Sequence, residues 1–298
     1  MVAASIFPIA DAVRQVGGDR VEVVTLLPAG QTPHDYRPTP AQTEKLARAG
    51  LLIVVGLGLD DWARRSAAAV GAGGPEVLDL GSTLMGGFPR GLGDSAENAA
   101  PDAVTSGPTN RSPDREHGGH DPHEHGDAAV DPHVWLDPVV MMGFADQIFQ
   151  TLRRLDPAGE SIYRANALRF RKELEELDWL CARRLQAVPR KEFVSLHAAF
   201  GVFAKRYGLR QLALRHTHAE EAGPRHLEEV VAFIKAHRIK TIFAEPQFPA
   251  DRLEAIAHQT GATIRYLDPI GAPGVPGYDG YVALMRTNLE TLVAALSS

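Results

Sequence analysis

Four residues that are far apart along the chain have side chains suited to holding a metal ion. His34 lies in a proline-rich loop, and His133 lies between two Asp-Pro pairs, which restrict the backbone on both sides of the imidazole. His197 and Asp268 each follow the last apolar residue of a predicted strand. Three neutral imidazoles and one carboxylate form a tetrahedral set suited to zinc, with bonds of about 2.0 to 2.2 Å. Imidazole also suits copper and nickel, whereas manganese and calcium prefer more oxygen ligands.

Three acidic residues near these positions could orient the imidazoles. A ligating histidine usually donates its second ring N–H to a carboxylate or carbonyl, and the candidates for this role are Asp131, Asp137 and Glu245. Ordinary structural roles remain open at this point. His34 could be a turn residue, His197 could donate to a neighbouring carbonyl, and Asp268 could cap a helix.

A histidine-rich run precedes the rigid His133 segment. His117, His120, His123 and His125 lie within residues 117–127, among Gly, Asp and Pro. Such a cluster has metal affinity whether or not it forms an ordered site. We therefore expect an arm that collects metal weakly for the tighter site, the alternative being an inert solvated loop.

Strand and helix patterns alternate in both halves of the chain, which predicts an α/β fold with parallel sheets. Apolar runs predict strands over Val2–Phe7 and Val21–Leu27, among others, and a last helix from Tyr278. In open parallel sheets the ligand site lies beyond the carboxyl ends of the strands. Loops from both halves are therefore expected to meet in a cleft between two lobes.

The longest helical pattern runs from Asp156 to Val188 and divides the chain. Its apolar residues recur every three or four positions and predict a single buried stripe. We expect an N-terminal α/β lobe over 1–137, linker helices over 138–188 including this long helix, and a C-terminal α/β lobe over 189–298. Residues 83–130, rich in Gly, Pro, Ser, Asp and His, predict a flexible loop.

Composition narrows the functional classes. A net charge of −6 argues against nucleic-acid binding, which needs concentrated basic surface. The single cysteine, Cys181, excludes an internal disulfide and a Cys-rich zinc finger. No apolar run approaches the ~18 residues of a membrane span. The first residues read as a strand rather than as a signal peptide, so an export signal is expected to have been removed.

The ordered set of motifs resembles a known family, the cluster A-I solute-binding proteins of ATP-binding-cassette importers for zinc and manganese. The matching segments are Leu27–Gly30, Pro33–Pro40, Asp131–Pro138, Ser195–Phe200, Ala244–Gln247 and Leu267–Gly271. The resemblance implies two α/β lobes, each with a four-stranded sheet, joined by a long rigid backbone helix. It also implies a metal between the lobes, held by His34, His133, His197 and Asp268. Manganese relatives usually carry glutamate at the position of His197, and the acidic histidine-rich insertion is typical of the zinc branch.

The resemblance further implies an exported, periplasmic, monomeric protein that is not an enzyme. It would capture Zn²⁺ and deliver it to a permease in the inner membrane, with a periplasmic metallochaperone as a further candidate partner. Two alternatives stay open: a manganese importer component, and a zinc-dependent hydrolase in which Glu245 acts as general base on a bound water. Adhesion, known for some relatives, has no signature in the sequence.

Overall fold

The predicted α/β class is confirmed by a computed structural model, which describes residues 1–84, 130–215 and 224–297. Two parallel four-stranded sheets form two lobes, and helices flank both sheets. The histidine-rich run lies outside the described residues. Within the described ranges, no helix combines the length and apolarity that crossing a membrane requires.

The first lobe alternates strands and helices as the sequence predicts. Its sheet has the spatial order β2-β1-β3-β4, so the first strand lies inside and later strands add on either side. The central strand β3 is buried along its whole length, which explains its continuous apolar run. The elements are β1 (Val2–Ala4), α1 (Phe7–Gly17), β2 (Val23–Thr25), α2 (Pro40–Ala47), β3 (Leu51–Val54), α3 (Asp61–Val70) and β4 (Glu76–Asp79).

The second lobe repeats this topology, with the order β6-β5-β7-β8. Two helices precede it and connect the lobes. The last helix returns to pack against α1 and the long connecting helix. The elements are α4 (Pro138–Leu155), α5 (Glu160–Gln186), β5 (Glu192–His197), α6 (Gly201–Arg206), β6 (Arg210–Arg215), α7 (Pro224–Ala236), β7 (Thr241–Ala244), α8 (Asp251–Thr260), β8 (Thr263–Tyr266) and α9 (Tyr281–Leu296).

The long helix α5 has 27 residues, a length of about 40 Å at ~1.5 Å per residue. It begins four residues later than expected, after a 3-10 turn at Pro157–Gly159. Asp156 forms an ion pair with Arg20 and accepts a hydrogen bond from the Tyr163 hydroxyl. The predicted apolar stripe is buried in full and comprises Tyr163, Ala167, Phe170, Leu174, Leu177, Cys181 and Leu185.

Besides the start of α5, three further predicted element boundaries are wrong. The first strand ends at Ala4, because α1 begins at Phe7 with proline in its first turn. Strand β2 covers only Val23–Thr25, although the amides of Leu26 and Leu27 still donate to the carbonyls of Ala4, the last residue of β1, and Ser5. Helix α9 starts at Tyr281 rather than Tyr278, because Gly280 has φ 116°. The lobe boundaries at 137 and 188 remain predictions.

Candidate metal centre

Three imidazoles from the two lobes meet in one buried cluster. The Nε2 atoms of His34 and His133 lie 3.1 Å apart, and one ring nitrogen from each of His34, His133 and His197 lies within 4.8 Å of the others. His133 and His197 are 4% and 3% exposed, and His34 is half-buried. Converging ring nitrogens are the donor set that zinc prefers, so this cluster can hold a metal ion.

The His34 loop is anchored by side chains of α3 and α2. The indole Nε1 of Trp62 donates to the carbonyl of Pro33 at 2.7 Å, and the rings of Trp62 and Tyr36 meet edge to face at 5.0 Å. The Tyr36 hydroxyl donates to Gln42, whose Nε2 donates to the carbonyl of Leu26. These contacts fix the backbone on both sides of His34.

His133 is oriented by Asp131, as expected for an imidazole with a carboxylate partner. The Oδ1 atom of Asp131 accepts from the His133 backbone N–H at 3.0 Å and lies 2.8 Å from its Nδ1. Burial lowers the pKa of His133, although the nearby carboxylate opposes that effect. The neutral imidazole that metal binding requires is therefore favoured. Across the lobes, a Cβ at Gly201 would approach Asp131 Oδ2 to 2.8 Å, so a larger residue at that position would displace the carboxylate.

His197 ends β5 and faces Glu245, the residue that follows β7. The Nδ1 atom of His197 lies 3.3 Å from Oε1 and 3.4 Å from Oε2 of Glu245. Its backbone carbonyl accepts hydrogen bonds from Ser195 Oγ at 2.8 Å and Gln211 Nε2 at 2.9 Å. Nδ1 therefore faces a carboxylate, and Nε2 is the nitrogen left to face a metal.

Asp268 lies beside the cluster but is not part of it among the described residues, where only the three histidines form the group. Its Oδ1 accepts hydrogen bonds from the backbone of Ile270 and Gly271 and from Gln247 Nε2, at 2.9, 3.0 and 2.7 Å. The backbone of Asp268 is held by Asn288, whose Oδ1 accepts from its N–H and whose Nδ2 donates to its carbonyl. The carboxylate is thus fixed in direction and buried.

Asp137, the third carboxylate proposed to orient an imidazole, is placed at the start of α4. Its Oδ1 accepts from the backbone N–H of Val139 at 2.8 Å and pairs with Arg206 Nε at 3.2 Å. Burial raises the pKa of Asp137. Neither contact involves an imidazole, and both fit a helix cap that joins the lobes.

The space between the three rings is small. The cavity measures about 10 Å³, roughly the volume needed to place a single water-sized species. Glu245, Gln247, Pro269 and Ile270 are among the other residues that line it. A space of this size between the rings suits a single ion.

Sequence reasoning did not identify Trp62, Gln247 or Asn288 as part of this site. Asn288 could have been found, because it is a polar residue within the apolar stripe of α9, between Leu284 and Leu292. Trp62 and Gln247 carry no comparable signal. The contacts of Trp62 with Pro33 and of Gln247 with Asp268 exist only once distant segments have packed together.

The chain has two α/β lobes with parallel sheets, a long connecting helix and three imidazoles that meet between the lobes. These are the features of a two-lobed binding protein for a small metal ion. A family profile described as the periplasmic component A of the zinc-uptake complex matches residues 2–295. The chain belongs to that family, which confirms the resemblance read from the motifs.

Individual relatives agree with this assignment. The chain is 25% identical over 302 residues to the manganese-binding lipoprotein MntA of Halalkalibacterium halodurans, covering 99% of this chain and 88% of the relative. It is 25% identical over 301 residues to the high-affinity zinc uptake system protein ZnuA of Bacillus subtilis, covering 99% and 87%. A crystal structure of ZnuA superposes with a TM-score of 0.79 at 25% identity, covering 99% of this chain and 98% of that one. Zinc and manganese proteins are therefore both among the relatives.

Proposed function

We propose that this protein captures Zn²⁺ with His34, His133 and His197 and delivers it to an ABC-type membrane permease for import. The observation that carries the proposal is the approach of three ring nitrogens, from both lobes, to within 4.8 Å of one another in a buried cluster. Two of the rings have a carboxylate at their second nitrogen. This is the usual arrangement around a bound metal.

We propose Asp268 as the fourth ligand, through Oδ2. The three hydrogen bonds described for its carboxylate all go to Oδ1, which suits an arrangement in which the other oxygen binds the ion. The residues directly after it, Pro269 and Ile270, already line the cavity. Binding would require a small approach of this loop to the histidines. Four protein ligands would close a tetrahedral zinc site.

The donor set favours zinc over manganese. Three imidazole nitrogens and a single carboxylate suit zinc, whereas manganese prefers oxygen-rich coordination. The similarity to ZnuA of Bacillus subtilis supports zinc, and the similarity to MntA keeps manganese as the alternative cargo.

The small cavity speaks against a hydrolase. A hydrolytic zinc site keeps a position open for water and substrate, whereas the space between the three rings has the size of a single ion. Glu245 lies against the Nδ1 atom of His197, a position that suits orienting the ring. A binding role follows more directly from this geometry than general-base catalysis does.

The family implies the remaining features of the proposal: a periplasmic location, a monomeric state, a permease partner and a metallochaperone as a second candidate partner. The proposed role needs a cargo that can be released, and an enclosed ion held by loops from two lobes meets that need. No nucleic acid takes part.

Titration calorimetry with a competing chelator at pH 7 tests the proposal. One tight zinc site is expected, with manganese at least a hundredfold weaker. His133→Ala should abolish the tight site, whereas His258→Ala, an exposed histidine on α8, should leave it unchanged. Unaltered zinc binding by His133→Ala would refute the assignment, and tighter binding of manganese than zinc would reverse the choice of cargo.

A further inference from the structure

The C-terminal helix α9 contacts both of the backbone segments that carry His133 and Asp268. Tyr281 and Asn288 lie seven residues apart on it, and therefore on the same face. Both are buried, at 0% and 1% exposure. Polar groups at such depth are normally hydrogen-bonded, and their partners show what they position.

The partners of Tyr281 and Asn288 belong to different lobes. The Tyr281 hydroxyl donates to the backbone carbonyl of Trp135 at 2.7 Å, two residues after His133. Asn288 binds the backbone of Asp268 twice, accepting from its N–H at 2.9 Å and donating to its carbonyl at 2.7 Å. One helix face thus holds a segment of each lobe.

A fourth hydrogen bond closes the arrangement into a ring. The indole Nε1 of Trp135 donates to the carbonyl of Pro269 at 2.8 Å, joining the two segments directly. The α9 ring therefore comprises Tyr281, Trp135, Pro269, Asp268 and Asn288, linked by four buried hydrogen bonds and the covalent bond between residues 268 and 269. The ring of Trp135 also packs against the His133 imidazole, with centroids 5.4 Å apart. These bonds limit how far the two segments can move relative to each other.

We infer that Asn288 and Tyr281 are positioning residues for metal binding, which set the separation between the Asp268 carboxylate and the His133 imidazole from a helix that itself supplies no ligand. This inference rests on the proposed function and adds to it the element that controls how firmly the ion is held. Asn288 is suited to this role because its amide is both donor and acceptor, so it fixes the Asp268 backbone in one orientation. Leucine at position 288 has a similar volume and can form neither bond.

Zinc dissociation into excess chelator, followed by stopped flow on the full chain, tests the inference. Removing groups that orient a ligand typically costs about ten- to a hundredfold in metal affinity. Asn288→Leu should therefore raise the zinc dissociation rate about tenfold. In an Asp268→Ala background the same substitution should change the rate less than twofold, because the residue it positions is gone. An equal increase in both backgrounds, or none in the wild-type background, would overturn the inference.

Two further variants separate positioning from a general loss of stability. Leu292→Ala removes buried packing on α9 without touching the α9 ring, and should lower the melting temperature while leaving zinc dissociation within twofold of wild type. An increase matching that of Asn288→Leu would refute the positioning role. If Asn288→Leu does not fold, Tyr281→Phe replaces it in the test, because this substitution deletes only one hydroxyl. It should raise the zinc dissociation rate several-fold, and an unchanged rate would refute the positioning role of the α9 ring. A wild-type protein without a tight zinc site would instead refute the proposed function itself.

Discussion

The carboxylate of Glu245 should contribute more to zinc affinity than that of Asp131, although it lies further from its imidazole. Glu245 is 3.3 to 3.4 Å from His197 Nδ1, against 2.8 Å for Asp131 and His133. The side chains differ in exposure, however, at 3% for Glu245 and 35% for Asp131. Water screens the exposed pair and not the buried one, so the buried charge acts on its ring at a lower effective dielectric constant.

Replacing each carboxylate by its amide isolates this effect with little change of volume. Loss of a carboxylate that orients a ligating histidine costs about ten- to a hundredfold in metal affinity, or roughly 1.4 to 2.7 kcal/mol. We place Glu245→Gln near the upper end of that range and Asp131→Asn at or below the lower end. Without metal, Glu245→Gln should not lower the free energy of unfolding, because it removes a buried charge.

Competition calorimetry with zinc at pH 7 measures the affinities, and urea unfolding of the metal-free proteins measures stability. A larger loss of zinc affinity in Asp131→Asn than in Glu245→Gln would refute the predicted order. A Glu245→Gln affinity within twofold of wild type would show that this carboxylate has no part in orienting His197.

Three further perturbations test other parts of the structure. Burial raises the pKa of Asp60 to about 6, so the folded protein binds that proton more tightly than the unfolded chain does. As the pH rises from about 4 to about 6, the free energy of unfolding should therefore fall by roughly 3 kcal/mol. Urea unfolding should show this fall in the wild type and not in Asp60→Asn. Trp62→Phe removes the hydrogen-bond donor to the Pro33 carbonyl and should weaken zinc binding about tenfold in calorimetry. The control Trp179→Phe changes a side chain that is 60% exposed and should leave zinc binding unchanged. Equal effects of the two substitutions would contradict the anchoring of the His34 loop. Deletion of residues 117–127 should remove weak zinc sites and slow loading at low zinc while sparing the tight site, and an unchanged zinc stoichiometry would refute the collecting role.

The sequence was most informative where one physical signal dominates. The apolar stripe of α5 was predicted residue by residue, because burial on one side of a helix imposes its period directly. The sequence predicts helices over Asp61–Val70 and Pro224–Ala236, which are the observed bounds of α3 and α7, because Asp61 and Pro224 suit a first helical turn. The Val2–Phe7 strand was predicted too long because its residues are buried in either conformation, so the apolar run alone does not show where strand becomes helix.

The meeting of the three imidazoles could be predicted from the sequence, whereas the contacts that hold their loops could not. The rule that ligands gather at the carboxyl ends of parallel strands, together with the motifs, selected His34, His133 and His197. The position of the Asp268 carboxylate depends on Gln247 and Asn288, which no local pattern connects with it. Contacts of this kind follow from the packing of α9 and the second sheet, and only the three-dimensional structure reveals them.

The most direct test of the central claim is a crystal structure of the zinc-loaded protein, with anomalous diffraction recorded at the zinc edge. We predict one strong peak between the lobes, bonded to a ring nitrogen of each of His34, His133 and His197 at about 2.0 to 2.1 Å. A principal zinc peak elsewhere, or one bonded to fewer than three of these imidazoles, would contradict the account.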